Sequence, residues 1–349
     1  MAKKKEVVVI TGASAGVGRA AVREFAKHGA QIGLLARGRA GLEAAKKDAE
    51  HLGGEGMVLP TDVSDSKQVE AAAEAVEKKF GPIDVWVNDA MVSVFSPFKE
   101  MTAEEFRRVT EVTYLGFVYG TMSALKRMLP RDRGTIVQVG SALAYRSIPL
   151  QSAYCGAKHG IAGFTDSIRC ELIHDRSNVH ITMVNMPALN TPQFSWVKSR
   201  LTHKAQPVPP IYEPEVAARG IYWAAHHRRR QLELGGSTLM AVVGQKLVPG
   251  LLDQYLGRTG YDSQQHDGFE DPNRPNNLWN PVDGNRDHGA HGSFDDRAKN
   301  FSRELWALEH VGWIGAATAA ALGTGIAAYL RSRSQSRSRQ ESESWPVAA

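Results

Sequence analysis

From residue 6 to about 250, short runs of β-branched and other apolar residues alternate with longer stretches of amphipathic, helical periodicity. The runs are EVVVI (6–10), QIGLLA (31–36), GMVLP (56–60), IDVWVN (83–88), GTIVQVG (134–140) and HITMVNM (180–186). Between them the spacing predicts helices near 17–28, 39–52, 66–79, 102–129 and 152–174. Uninterrupted apolar strands separated by helices predict a parallel sheet covered on both faces, a doubly wound α/β domain.

After residue 186 the pattern loosens. PALNTPQFSWVKSRLTHKAQPVPPIYEP (187–214) has the length and proline content of a lid over a binding cleft. A helix near 213–227 and a strand around 231–235 close the sheet. From about 257 to 300 the chain is rich in Gly, Pro, Asn, Asp and His without periodicity, which reads as a linker or an extended arm. The divisions predicted are a domain over 1–256, the arm over 257–300, a hydrophobic helix within 301–330 and an Arg/Ser-rich tail over 331–349. Residues 311–330 carry no charge and have the length of a bilayer span, but more than half are Ala or Gly. Arginines follow at 331, 333, 337 and 339. Membrane association and close packing within the chain or an oligomer are both consistent with that composition.

Composition adds little to this picture and removes some alternatives. At 42% hydrophobic and 23% charged, the 349 residues are of ordinary globular make-up. The net charge of +5 is scattered among Lys3 to Lys5, Arg228 to Arg230 and the tail, without interleaved aromatics, so no nucleic-acid partner is expected. Two cysteines, Cys155 and Cys170, imply no disulfide framework, and the start lacks a signal-peptide pattern, so a cytoplasmic setting is expected. His266, His288 and His291 lack paired helical ligand spacing; they read as solvated loop residues, and no metal is expected.

Chemistry enters at the first strand-to-helix turn. VVVITGASAGVGRA places Gly12, Gly16 and Gly18 where a backbone can approach a pyrophosphate at a helix N-terminus. The second strand ends LLARGRA, with Ala36 and Arg37 where an NAD-binding domain commonly carries an acid for the ribose 2′-hydroxyl. An arginine pairs with a 2′-phosphate, so the sequence leans to NADP(H) over NAD(H); the alternative is that Arg37 is a solvated helix-start residue. Further on, SAYCGAKHG sets Tyr154 and Lys158 four apart on one helix face, a spacing that places both in one cleft.

TGASAGVG, NDAM after the fourth strand, Ser141 after the fifth and YCGAK thirteen residues beyond it together resemble the short-chain dehydrogenase/reductase family, over roughly residues 6–250. The resemblance implies a single Rossmann-type domain, a nicotinamide cofactor and hydride exchange with an alcohol or ketone. It implies Tyr154 as general acid/base, Lys158 as the residue that lowers the tyrosine pKa and holds the nicotinamide ribose, and Ser141 as a hydrogen-bond partner of the substrate oxygen. Asp62, with Val63 beside it, matches the adenine position; Ser14, Val17, Asn88 and Ala90 match other cofactor-lining positions. Self-association through 102–129 and 152–174 is likewise implied.

Two departures from the family pattern stand out. VTYLG carries Thr113 where an asparagine completes the proton relay, and a threonine hydroxyl also donates and accepts but with shorter reach. Thr113 is read either as part of a rewired relay or as a helix-packing residue. NMPALNTP replaces the usual Pro-Gly, and alignment on Thr191 leaves Leu189 and Thr191 as carboxamide neighbours. Met91 stands where glycine is usual. Phe194, Trp196, Val197 and Tyr212 in the lid point to an apolar substrate or pack the lid itself. The expected function is an NADP(H)-dependent oxidoreductase of an alcohol or ketone; the alternative is a non-catalytic nucleotide-binding scaffold or a membrane-associated assembly protein.

Overall fold

Every residue of the Val7–Thr11 strand, β1, is buried, as a strand covered on both faces requires. The computed structural model describes residues 5–311 together with Thr324, Ile326 and Tyr329. β1 lies inside a seven-stranded sheet with β2 (Gln31–Ala36), β3 (Glu55–Pro60), β4 (Val85–Asn88), β5 (Thr135–Ser141), β6 (His180–Met186) and β7 (Gln231–Glu233). The order is β7-β6-β5-β4-β1-β2-β3, all parallel. The direction of winding reverses between β1 and β4, which opens a crevice at their carboxyl ends.

Helices cover both faces. On one, α1 (Gly16–Lys27) packs against α2 (Arg39–His51) and against α7 (Pro214–His226). On the other are α3 (Ser66–Phe80), α4 (Ala103–Thr110), α5 (Gly116–Met128) and α6 (Ser152–His174). Local chemistry marks their starts: the Asp65 carboxylate accepts from the Lys67 and Gln68 amides, and Thr102 and Glu105 form a reciprocal capping box. The single helix expected over 102–129 is divided by a π-helical turn, Glu111–Leu115, which contains Thr113.

Beyond β7, two helices that the periodicity did not predict, Gly236–Leu247 and Pro249–Thr259, precede the arm. The arm is not a free linker. Met1–Ser302 is one compact unit, in which Leu278 joins the main core and Phe294 packs with Phe95, Phe194 and Ile211 beneath the lid. Residues Gln265–Phe269 pair with His203–Ala205, and Ala298–Lys299 pair with Ile211–Tyr212. The arm histidines have partners as well: His266 meets Phe294 edge-on, His288 meets Trp196, and His291 forms ion pairs with Glu213, Glu215 and Asp295. A second unit, Arg303–Ala349, carries the helix Arg303–Glu309. Most of 311–330 and all of 331–349 lie outside the described residues, and among the described residues no helix is long and apolar enough to cross a membrane.

Candidate active site

The crevice is floored by the turn after β1. Gly12 has φ +76°, in the left-handed region, and a Cβ on Gly18 would stand 2.2 Å from the Gly12 carbonyl oxygen, so side chains are excluded where the loop folds on itself. Ser14, Gly16 and Val17 line the cleft beside it, at the amino end of α1. This bare backbone cradle at a helix N-terminus fits a pyrophosphate. Thr11 ties the cradle to the neighbouring strand, its hydroxyl accepting from the Asp89 and Ala90 amides at 2.9 and 3.1 Å.

Across the cleft, β5 ends at Ser141 and α6 presents Tyr154 and Lys158 one turn apart. The Ser141 side chain lies near the Tyr154 phenol and accepts from the Leu143 amide at 3.1 Å. Lys158 is almost fully buried; its Nζ donates to the Val139 carbonyl at 2.7 Å and lies 5.5 Å from the centre of the Tyr154 ring. Burial pushes the phenol above its ordinary pKa, offset only in part by Ser141. Burial also depresses Lys158, and the nearby Asp89 carboxylate counteracts it.

Asp89 was missed as a site residue. It lines the cleft, its carboxyl is pushed up by burial, and Lys158 and the Gly18 amide pull it back. An acid between small residues at the end of a buried strand, in NDAM, was the signal available. Three other predicted residues lie off the cleft lining. Asn88 is fully buried and bridges Trp86, Thr121 and Gln138, which makes it a clamp beneath the sheet. Gly18 serves the cradle through its packing. The Thr113 hydroxyl both accepts from the Val92 amide at 3.0 Å and donates to the Val92 carbonyl at 2.7 Å.

Leu189 and Thr191 line the opposite wall with Met186, Pro187 and Trp196. Towards β2, Asp62, Val63, Ala90 and Arg37 do so as well. Asp62 accepts from Arg108 and from the Ser64 hydroxyl, both at 2.7 Å. Arg37 donates to the Asn277 and Trp279 carbonyls of the arm, and Arg108 to the Leu278 carbonyl at 3.1 Å. The arm also reaches the cradle, where the Gly16 amide donates to the Gly289 carbonyl at 3.1 Å.

Residues 6–200 match the family model for short chain dehydrogenase. The chain belongs to the short-chain dehydrogenase family. It is 32% identical over 289 residues to an uncharacterized oxidoreductase, YxnA, of Bacillus subtilis, covering 82% of this chain and 81% of that one. It is 30% identical over 256 residues to 3beta-hydroxysteroid dehydrogenase 1 of Eggerthella lenta, covering 71% and 96%. A crystal structure of a short-chain dehydrogenase from Streptomyces avermitilis superposes with a TM-score of 0.62 at 22% identity, covering 75% of this chain and 99% of that one, and shares the fold. As a short-chain dehydrogenase the protein is an oxidoreductase that uses a nicotinamide cofactor to act on CH–OH or C=O groups of a small molecule.

Proposed function

We propose that the protein interconverts an apolar, ring-containing ketone and its alcohol, with Tyr154 as the proton donor in reduction. The observation that carries this reading is the convergence of Ser141, Tyr154 and Lys158 on the cleft that the glycine cradle floors. In it the nicotinamide, when bound, supplies the hydride to the carbonyl carbon, and the remaining work belongs to side chains. Ser141 fixes the carbonyl oxygen beside the phenol. Tyr154 transfers its proton to that oxygen; a phenol, with an ordinary pKa of about 10, is protonated at neutral pH, as a donor must be. Lys158, anchored on Val139, holds the ribose side of the cleft.

Met91, Val92, Val112, Met186, Leu189 and Trp196 supply an apolar wall for the substrate. The hydroxysteroid dehydrogenase among its relatives supports a cyclic substrate. Arg37 supports NADP(H) as far as its guanidinium is free to meet a 2′-phosphate, but here it is engaged with arm carbonyls. Self-association through α5 and α6, where Met122 and Ile173 are exposed, and membrane binding through 311–330 are part of the same proposal. Sedimentation of the full chain with and without anionic vesicles checks both, and a free monomer throughout removes them.

The chemical test is reduced-cofactor oxidation across a panel of cyclic ketones by the native enzyme and Tyr154→Phe. Turnover that falls by about 10²-fold or more in the variant, with cofactor binding retained, is expected. Equal turnover in both proteins rejects Tyr154 as the proton donor.

A further inference from the structure

The edge of the cleft at the end of β2 is built jointly by the domain and the arm. In this fold the adenosine ribose of a dinucleotide lies there, and an acid selects the 2′-hydroxyl while a basic residue selects the 2′-phosphate. The domain itself offers Ala36, Arg37 and Gly38. The arm adds Asp283, which lines the cleft although it is only 7% exposed. One of its carboxylate oxygens is 1.8 Å from where a Cβ on Gly38 would stand, so the acid lies directly against the residue that precedes α2. Its main-chain carbonyl accepts from the Gly41 amide at 3.3 Å, which fixes that position. No hydrogen bond among the described residues occupies the carboxylate.

We propose that Asp283 is the cofactor-selecting acid of this enzyme and that, delivered by the arm, it selects NAD(H) over NADP(H). The inference rests on the nicotinamide-dependent reading of the cleft. A 2′-phosphate at this edge needs positive potential, from the N-terminus of α2 and from Arg37. Asp283 already occupies the first, and the Asn277 and Trp279 carbonyls already engage the second. The charges gathered here, Arg37 and Arg108 against Asp62 and Asp283, are balanced before any ligand arrives. A phosphate would add a further anion beside the buried Asp283 and the half-buried Asp62, at a cost in both repulsion and desolvation. A ribose hydroxyl adds no charge and donates to the unpartnered carboxylate.

The test is direct titration of the full chain with NADH and with NADPH by calorimetry, for the native protein, Asp283→Asn and Asp283→Ser, with thermal melting to establish that each variant is folded. Native protein is expected to bind NADH at least about tenfold tighter than NADPH, and the folded variants to lose about tenfold or more of that preference, by weaker NADH binding, stronger NADPH binding or both. Tighter binding of NADPH by native protein, or an unchanged ratio in folded variants, overturns the selection while leaving the dinucleotide site intact. Failure to bind either nucleotide overturns the dinucleotide reading and the selection with it.

Discussion

Thr113 shows how a single residue changes meaning between sequence and structure. In VTYLG it stands at a relay position, and its hydroxyl has the donor and acceptor that a relay needs. In the folded chain both capacities are spent on the main chain of Val92, deep in the core, so Thr113 locks the strand-end loop carrying Asp89 and Ala90 to the π-helical turn. Thr113→Val keeps the shape and leaves the Val92 amide and carbonyl unpaired. A loss of about 1–3 kcal/mol in unfolding free energy is expected from that exposure of buried polar groups. Denaturant midpoints read it, and the pH profile of turnover is expected to keep its shape; a displaced profile would return the hydroxyl to the proton path. Tyr154 and Lys158 were proposed from the motifs that accompany them, TGASAGVG, NDAM and Ser141, rather than from their spacing alone. Asp283 was not, since nothing within its own stretch of chain signals that it faces Gly38.

At the scale of elements, the same contrast recurs. The Val- and Ile-rich strands announce themselves because burial on both faces removes polar residues from them, as Val7–Thr11 illustrates. The helices Gly236–Leu247 and Pro249–Thr259 gave no such signal: Met240, Leu247, Leu251 and Tyr255 are exposed, so apolar and polar positions do not separate into an inner and an outer face. The arm was expected as a linker or an extended arm, but its packing against the domain left no periodic signal. It is held by a few anchors such as Leu278 and Phe294 and by arginine side chains bonded to carbonyl groups. Arg37 and Arg108 donate to arm carbonyls, while Arg274 of the arm donates to the Phe194 and Val197 carbonyls of the lid at 2.9 Å. Such bonds fix an irregular backbone without periodicity, and their partners lie far apart in sequence. Periodicity identifies elements that repeat; it is silent on a segment fastened point by point.

For the Met1–Ser302 unit as a whole, the consequence is that arm, lid and domain share one set of charges, and His291 is where they meet. Its Nδ1 lies 2.9 Å from Asp295 and 3.2 Å from Glu213, and its Nε2 lies 3.0 Å from Glu215 at the start of α7. Asn190 of the lid bridges the acids, donating to Glu213 at 3.2 Å and to Asp295 at 2.5 Å. Burial works against protonation of His291, but the surrounding carboxylates outweigh it and raise its pKa above the ordinary histidine value. Glu213 is itself pushed up by burial, with Asp295 and Glu215 adding to the shift, so neutral imidazole would leave three crowded acids without their cation. A group whose folded pKa is raised contributes stability that is complete below its unfolded pKa, about 6.5, and is lost as pH rises through the folded value. The side chain is 38% exposed, and solvent screening therefore holds the contribution to about 1 kcal/mol at most. Melting temperatures of native protein and His291→Gln are expected to differ most near about pH 6 and to converge as the solution becomes alkaline. A gap independent of pH would mean that His291 packs the arm in place without clamping it by charge.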